Sequence, residues 1–149
     1  MSPLVLGLRM IVVDTNVISE VVKPSPAANV VSWLNEQQSV DLYITTVTIG
    51  EISFGIEALP VGKRRTSLAN AIGRFIEQAF GHRILVPDQE SAWYYGAIMA
   101  ERRRSGRPMT APDGQIAAIA RRYKYQLATR NIKDFEETGL ELVNPFAGS

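Results

Sequence analysis

Three acidic residues stand alone in otherwise apolar stretches of this chain. From Met10 to Ser19 the one charged residue is Asp14, from Leu42 to Ile56 it is Glu51, and from Thr110 to Ala120 it is Asp113. Elsewhere charges cluster, as in Lys63-Arg64-Arg65 or Glu136-Glu137. A solvated charge has company, whereas an isolated acid in a core-forming segment must be satisfied by something specific. If the three meet, each like-charged pair ~4 Å apart repels by ~4 kcal/mol at an effective dielectric of ~20, so a proton or a cation must resolve the cluster. No Lys or Arg adjoins any of them in sequence. Oxygen ligands alone favour a hard divalent cation such as Mg²⁺ or Mn²⁺. A water of lowered pKa on such an ion can attack a phosphodiester, which makes phosphodiester hydrolysis the leading chemistry.

Each acid also has a plainer explanation. Asp14 could simply cap a helix, and Asp113, just after Pro112, could complement a helix dipole. Glu51, flanked by Ile49, Ile52 and two glycines, is harder to place on a polar face. The coincidence of three carries the weight.

The elements around these residues read as alternating short strands and helices. Met10 to Val13 is a β-branched run that stops at Asp14-Thr15-Asn16, residue types that cap helices. Val17 to Val22 makes a short helix closed by Lys23-Pro24, and a second helix carries Val30, Val31, Trp33 and Leu34. Leu42 to Ile44 is a second strand, and Thr45-Thr46 opens the helix that holds Glu51. Lys63 to Phe80 has a helical apolar stripe. Ile84 to Val86 is a third strand, followed by a long helix from Asp88 to Arg104 with Trp93, Ile98 and Met99 expected inside. Thr110 to about Tyr123 is a further helix, Gln126 to Ala128 a fourth strand, Ile132 to Glu136 a short turn or helix, and Leu140 to Val143 a fifth strand. This alternation predicts a parallel sheet covered on both faces. Asp14 then follows a strand, and Glu51 and Asp113 lie early in covering helices, so all three can converge beyond the carboxyl ends of the strands.

The 149 residues, 46% of them hydrophobic and 21% charged, suit a single domain over 1–149. Residues 1–9 read as an N-terminal extension to a domain that could begin at Met10. Sixteen basic against fifteen acidic side chains leave a net charge of +1, so any basic surface is local. No Cys and one His exclude disulfide frameworks, thiol nucleophiles, Cys/His zinc sites and iron–sulfur clusters. With neither an apolar run of membrane-spanning length nor signal-peptide character at the start, a cytoplasmic location is expected.

At Ile11-Val12-Val13-Asp14-Thr15-Asn16-Val17-Ile18-Ser19-Glu20 the sequence resembles the PIN-domain family, in particular the VapC and FitB-like ribonuclease toxins of bacterial toxin–antitoxin pairs. The likeness continues through Thr46, Glu51-Ile52, Gly55-Ile56, the run from Ala111 to Ala120, Ala128-Thr129-Arg130-Asn131, Asp134-Phe135 and Val143-Asn144-Pro145. It implies a three-layer α/β/α domain with a five-stranded parallel sheet, and a Mg²⁺- or Mn²⁺-dependent endoribonuclease that cuts single-stranded or looped RNA. The family's first three acidic positions fall on Asp14, Glu51 and Asp113. A fourth acid found in some members reads Asn131 here, which can coordinate or hydrogen-bond but adds no charge; the nearby Asp134 is the alternative for that position, ranked below the other three acids. Asn16 and Thr129 are candidates to orient Asp14 or a metal-bound water. Arg102, Arg103, Arg104, Arg107 and Arg130 are candidates for RNA phosphate contact. The resemblance also implies a homodimer and a cognate VapB-like antitoxin whose tail covers the acidic pocket.

Rival readings fit less well. A receiver-like module expects adjacent acids after the first strand and a later Lys, where this chain has a lone Asp14 and Thr129-Arg130. Gly62-Lys63 lacks the spacing and the Ser/Thr of a phosphate-binding loop. Serine hydrolysis has His82 as its one imidazole and no nucleophile elbow. The closest rival is a PIN scaffold that binds RNA or protein without turnover because Asn131 replaces an acid.

Overall fold

The computed structural model describes residues 10–147; the proposed extension at residues 1–9 lies outside them. Five strands, β1 (Ile11–Val13), β2 (Leu42–Thr45), β3 (Ile84–Leu85), β4 (Gln126–Ala128) and β5 (Leu142–Val143), form one sheet in the order β3-β2-β1-β4-β5. Every pairing is parallel. The helices are α1 (Thr15–Val21), α2 (Ala28–Glu36), α3 (Thr46–Glu57), α4 (Lys63–Phe80), α5 (Gln89–Arg104) and α6 (Ala111–Tyr123), with 3₁₀ turns at Ser39–Asp41 and Ile132–Phe135.

The two-residue period of a strand divides the core into two halves. Ile11, Val13, Leu42, Ile44 and Ala128 point to one face, where they pack with Val17 and Ile18 of α1, Val30 of α2, Ile52 of α3, and Ile72 and Phe80 of α4. Val12 and Leu127 point to the other, against Ile98 of α5, Ile116 to Ala118 of α6, and Phe135. Helices on both faces of a parallel sheet make the three-layer α/β/α architecture expected from the sequence. No helix among the described residues is long and apolar enough to cross a membrane.

From β1 the chain winds outward through β2 to β3, then crosses to β4 on the far side of β1 and on to β5. Strand order therefore reverses between β1 and β4, and the crevice beyond their carboxyl ends is where such sheets bind ligands. Ladder bonds extend past both strands: the Asp14 N–H donates to the Ala128 carbonyl (2.9 Å) and the Thr129 N–H to the Val143 carbonyl (2.9 Å). The side chains of Asp14 and Thr129 thus leave the sheet at this crevice.

Two expectations are corrected. Trp93 is 77% exposed, because α5 buries Ser91, Ile98 and Arg102, and Trp93 falls off that stripe. The last strand starts at Leu142 and not Leu140; Leu140 still packs against the α5–α6 core.

Glycine at position 114, in the first half of α6, lets α5 approach closely. A Cβ there would stand 2.5 Å from Met99 Sδ and 3.0 Å from Tyr95 Cε1. Gly96 of α5 has nothing within 4 Å of the same position. Gly114→Ala is expected to lower stability by about 1–2 kcal/mol through overpacking, whereas Gly96→Ala raises it by ~0.5–1 kcal/mol through helix propensity. Urea unfolding midpoints of the two variants check the opposite signs.

Candidate active site

Asp14 follows β1 and caps α1. It is 4% exposed. Its Oδ1 accepts from the Thr15 N–H (2.8 Å) and its Oδ2 from the Thr129 hydroxyl (2.8 Å). Thr129 Oγ1 in turn accepts from Asn16 Nδ2 (3.4 Å) and the Asn131 N–H (3.1 Å), while Asn16 Oδ1 accepts from the Arg130 N–H (3.2 Å). Asn16 therefore acts on Asp14 through Thr129, tying the end of β1 to the end of β4.

Glu51 projects from the second turn of α3. Thr15 Oγ1 donates to its Oε1 (2.7 Å) and lies 3.0 Å from Thr48 Oγ1. Asp113 is in the first turn of α6, where the Thr110 hydroxyl caps its N–H (3.3 Å). These three acids, with Thr15, Asn16, Ser19, Glu20, Lys23, Arg130, Asn131 and Phe135, line one hollow of about 400 Å³. Asp134 is exposed on the 3₁₀ turn and does not line the hollow, although its charge reaches Asp113. Asn131 does line it.

The three acids share one electrostatic problem. Among the described residues none of them forms an ion pair. Burial, reinforced by the charges of Asp113 and Glu51 and opposed by the bonds from Thr129 and Thr15, pushes the Asp14 carboxyl up to about 6. Asp113 is raised as well, first by burial and then by Glu51. Without a cation, a proton on Asp14 relieves the repulsion once the pH falls below about 6.

The PIN domain model matches residues 11–140. The chain belongs to the PIN domain family. This PIN domain is 39% identical over 137 residues to the VapC ribonuclease Y4jK of Sinorhizobium fredii, covering 92% of this chain and 98% of that one. It is 34% identical over 137 residues to Toxin FitB of Neisseria gonorrhoeae, covering 92% and 99%. The crystal structure of FitAcB from the same organism is 34% identical and superposes with a TM-score of 0.86 over 93% of this chain and 99% of the other.

Of the five arginines singled out in the sequence, one reaches the acidic hollow of the PIN domain. Arg130 lines it. The expectation that Arg102 meets RNA is corrected: Arg102 is 4% exposed, and its Nη1 donates to the carbonyls of Glu136 (2.7 Å) and Lys133 (3.3 Å). It clamps the turn bearing Asn131 and Asp134 onto α5. Arg107 pairs with Glu136 (2.8 Å), and Arg104 with Glu101 (2.8 Å). Arg103 and Arg104 flank a separate depression with Met99 and Met109.

Sequence reasoning missed Thr15, Glu20 and Lys23. Thr15 carried a signal, since a hydroxyl directly after the strand-end acid is placed to serve a second carboxylate. Lys23 looked like an ordinary helix terminus, and only the fold turns it toward the hollow.

A carboxyl raised from 3.8 to about 6 in the fold binds its proton more tightly folded than unfolded. Its ionisation therefore costs stability as pH rises through that window, by up to about 3 kcal/mol, and the cost is absent below it. Asp14→Asn retains an acceptor for the Thr15 N–H and gives up the bond accepted from the Thr129 hydroxyl, whose oxygen already accepts two others. It should raise metal-free stability at pH 7 by about 1–3 kcal/mol and flatten its fall between pH 4 and 6. Chelator-treated protein followed by urea unfolding across that range measures both.

Proposed function

We propose that the chain is a metal-dependent endoribonuclease, the toxin of a VapBC-type pair, that hydrolyses RNA phosphodiesters at the Asp14–Glu51–Asp113 hollow. The observation that carries this reading is the convergence of three carboxylates, from three separate elements, with no cation among the described residues paired to any of them. The VapC ribonuclease relative supports the reaction class, and the FitB toxin and the FitAcB structure support a cognate VapB-like antitoxin as partner. Assembly as a homodimer and action in the cytoplasm belong to the same reading.

The donor set fits a hard divalent cation. It consists of carboxylate, amide and hydroxyl oxygens with no thiol or imidazole. Among the described residues no three Asp, Glu or His side chains already stand together at ligand spacing, so shared ligation requires side-chain adjustment, most readily by Glu51 and Asp113 on their helices. Asp14, Glu51 and Asp113 would hold Mg²⁺ or Mn²⁺, with Asn131 or Asp134 in the fourth position. Bound there, the ion would offset charge developing on the phosphate and lower the pKa of a water.

The chain's own residues prepare the site. Thr129 and the Thr15 N–H fix both oxygens of Asp14, the most buried ligand. The Thr15 hydroxyl holds Glu51 in reach. The Arg102 clamp keeps the Asn131–Asp134 turn against α5. Asp14 is thereby fixed at both oxygens, while Glu51 and Asp113 keep the side-chain freedom that shared ligation requires.

Asp14→Asn, Glu51→Gln and Asp113→Asn should each lower cleavage of a structured-RNA panel in Mg²⁺ or Mn²⁺ by at least ~100-fold while the protein stays folded. Wild-type protein that binds but does not cut any RNA would favour the scaffold reading. For the fourth position, Asp134→Asn and Asn131→Ala compared by Mn²⁺ titration calorimetry show which side chain supports the metal. Asn131, which lines the hollow, should give the larger loss.

A further inference from the structure

The acidic hollow also carries two cations that the carboxylate chemistry does not use. Lys23, just past α1, and Arg130, just past β4, line it together with Glu20. Both are held in place. The Arg130 guanidinium lies over the Phe146 ring, 4.6 Å from its centroid. Phe146 is itself pinned: its N–H donates to Asn144 Oδ1 (2.9 Å) and its carbonyl accepts from Asn29 Nδ2 (2.5 Å). The Arg130 backbone is fixed on the other side by Asn16 (3.2 Å). Yet among the described residues no carboxylate pairs with its guanidinium. Its charge acts on the Glu20 carboxylate without forming an ion pair, so its N–H donors stay open among the described residues.

Lys23 is anchored by Glu20. That carboxylate is 8% exposed, and it accepts from Lys23 Nζ (2.9 Å) through Oε1 and from the Ala27 N–H (2.9 Å) through Oε2. Both Glu20 oxygens are thereby occupied at home, and Lys23, which is 56% exposed at its side chain, keeps donors free for a second anion. A buried acid that orients a surface lysine, in one lining with an aromatic-seated arginine that forms no ion pair among the described residues, makes a built anion subsite. The carboxylates of the same hollow repel anions unless a cation neutralises them, so the subsite sits where an anion must be held against that field.

We propose that Arg130, seated on Phe146, and Lys23, held by Glu20, bind the RNA phosphate next to the one being cut. The inference rests on the endoribonuclease reading and deepens it: the strand is gripped at two successive phosphates, one at the carboxylates and one at the cations. A polynucleotide fits better than an acidic protein segment because both charge types lie in a single hollow of about 400 Å³, room for roughly one nucleotide with its flanking phosphates.

The test uses the full chain, with an unstructured oligouridylate for binding and the most readily cut RNA of the panel for kinetics. Arg130→Gln and Lys23→Met should each raise KM by about 5- to 20-fold, more than they lower kcat, and each should reduce the slope of log affinity against log salt by about 0.7, the loss of one single-strand phosphate contact. Arg130→Lys, which keeps the charge, restores the slope. Phe146→Leu, which removes the seat alone, raises KM with the slope retained. Unchanged KM and slope in Arg130→Gln overturn the proposal, as does weakened capture by a bound antitoxin with RNA affinity intact, which assigns the cations to a protein partner. If wild-type protein binds the oligouridylate without cutting any RNA, only the nuclease reading falls, and the salt slopes still decide the subsite.

Discussion

The organisation of this molecule depends on one buried carboxylate that has hydrogen bonds but no counter-charge. Asp14 stands where the order of the parallel strands reverses, gripped by the Thr129 hydroxyl and the Thr15 amide. Those two bonds stabilise the anion, yet burial and two neighbouring acids outweigh them. A site in that condition has a standing electrostatic demand that a proton or a cation would meet. The stability lost to an empty, ionised pocket is the same free energy that favours its filling.

The fold sets up this demand by delivering each acid from a different layer of the same architecture. Asp14 comes from the sheet, Glu51 from a helix on one face and Asp113 from a helix on the other. Because β1 and β4 lie side by side, the short bridge from Asn16 through Thr129 to Asp14 closes over the switch point. Position is thus guaranteed by strand pairing and core packing, and the loops contribute only Asn131 and the cations.

Much of this was legible in the residue string. Alternating β-branched runs and amphipathic stretches predict the three-layer architecture, and solitary acids in apolar company mark the hollow without any structure. The arginines were not legible in the same way. Arg102, Arg103 and Arg104 are consecutive, and helical rotation sends the first into the core and the others to solvent, a distinction that depends on which face of α5 meets the 131–136 turn. Trp93 was misjudged for the related reason that its helix buries Ser91 and Arg102 where an apolar residue was expected. Lys23, at the far end of the helix that Asp14 caps, and Phe146, far from all three acids in sequence, acquire meaning only when the chain folds.

The guanidinium of Arg102 grips main-chain oxygens of Lys133 and Glu136 rather than any side chain of the turn. The shape of that segment is therefore insulated from the identity of the residues it displays. A substitution at position 131 can therefore change the local charge of the pocket while the main chain that displays it stays clamped by Arg102.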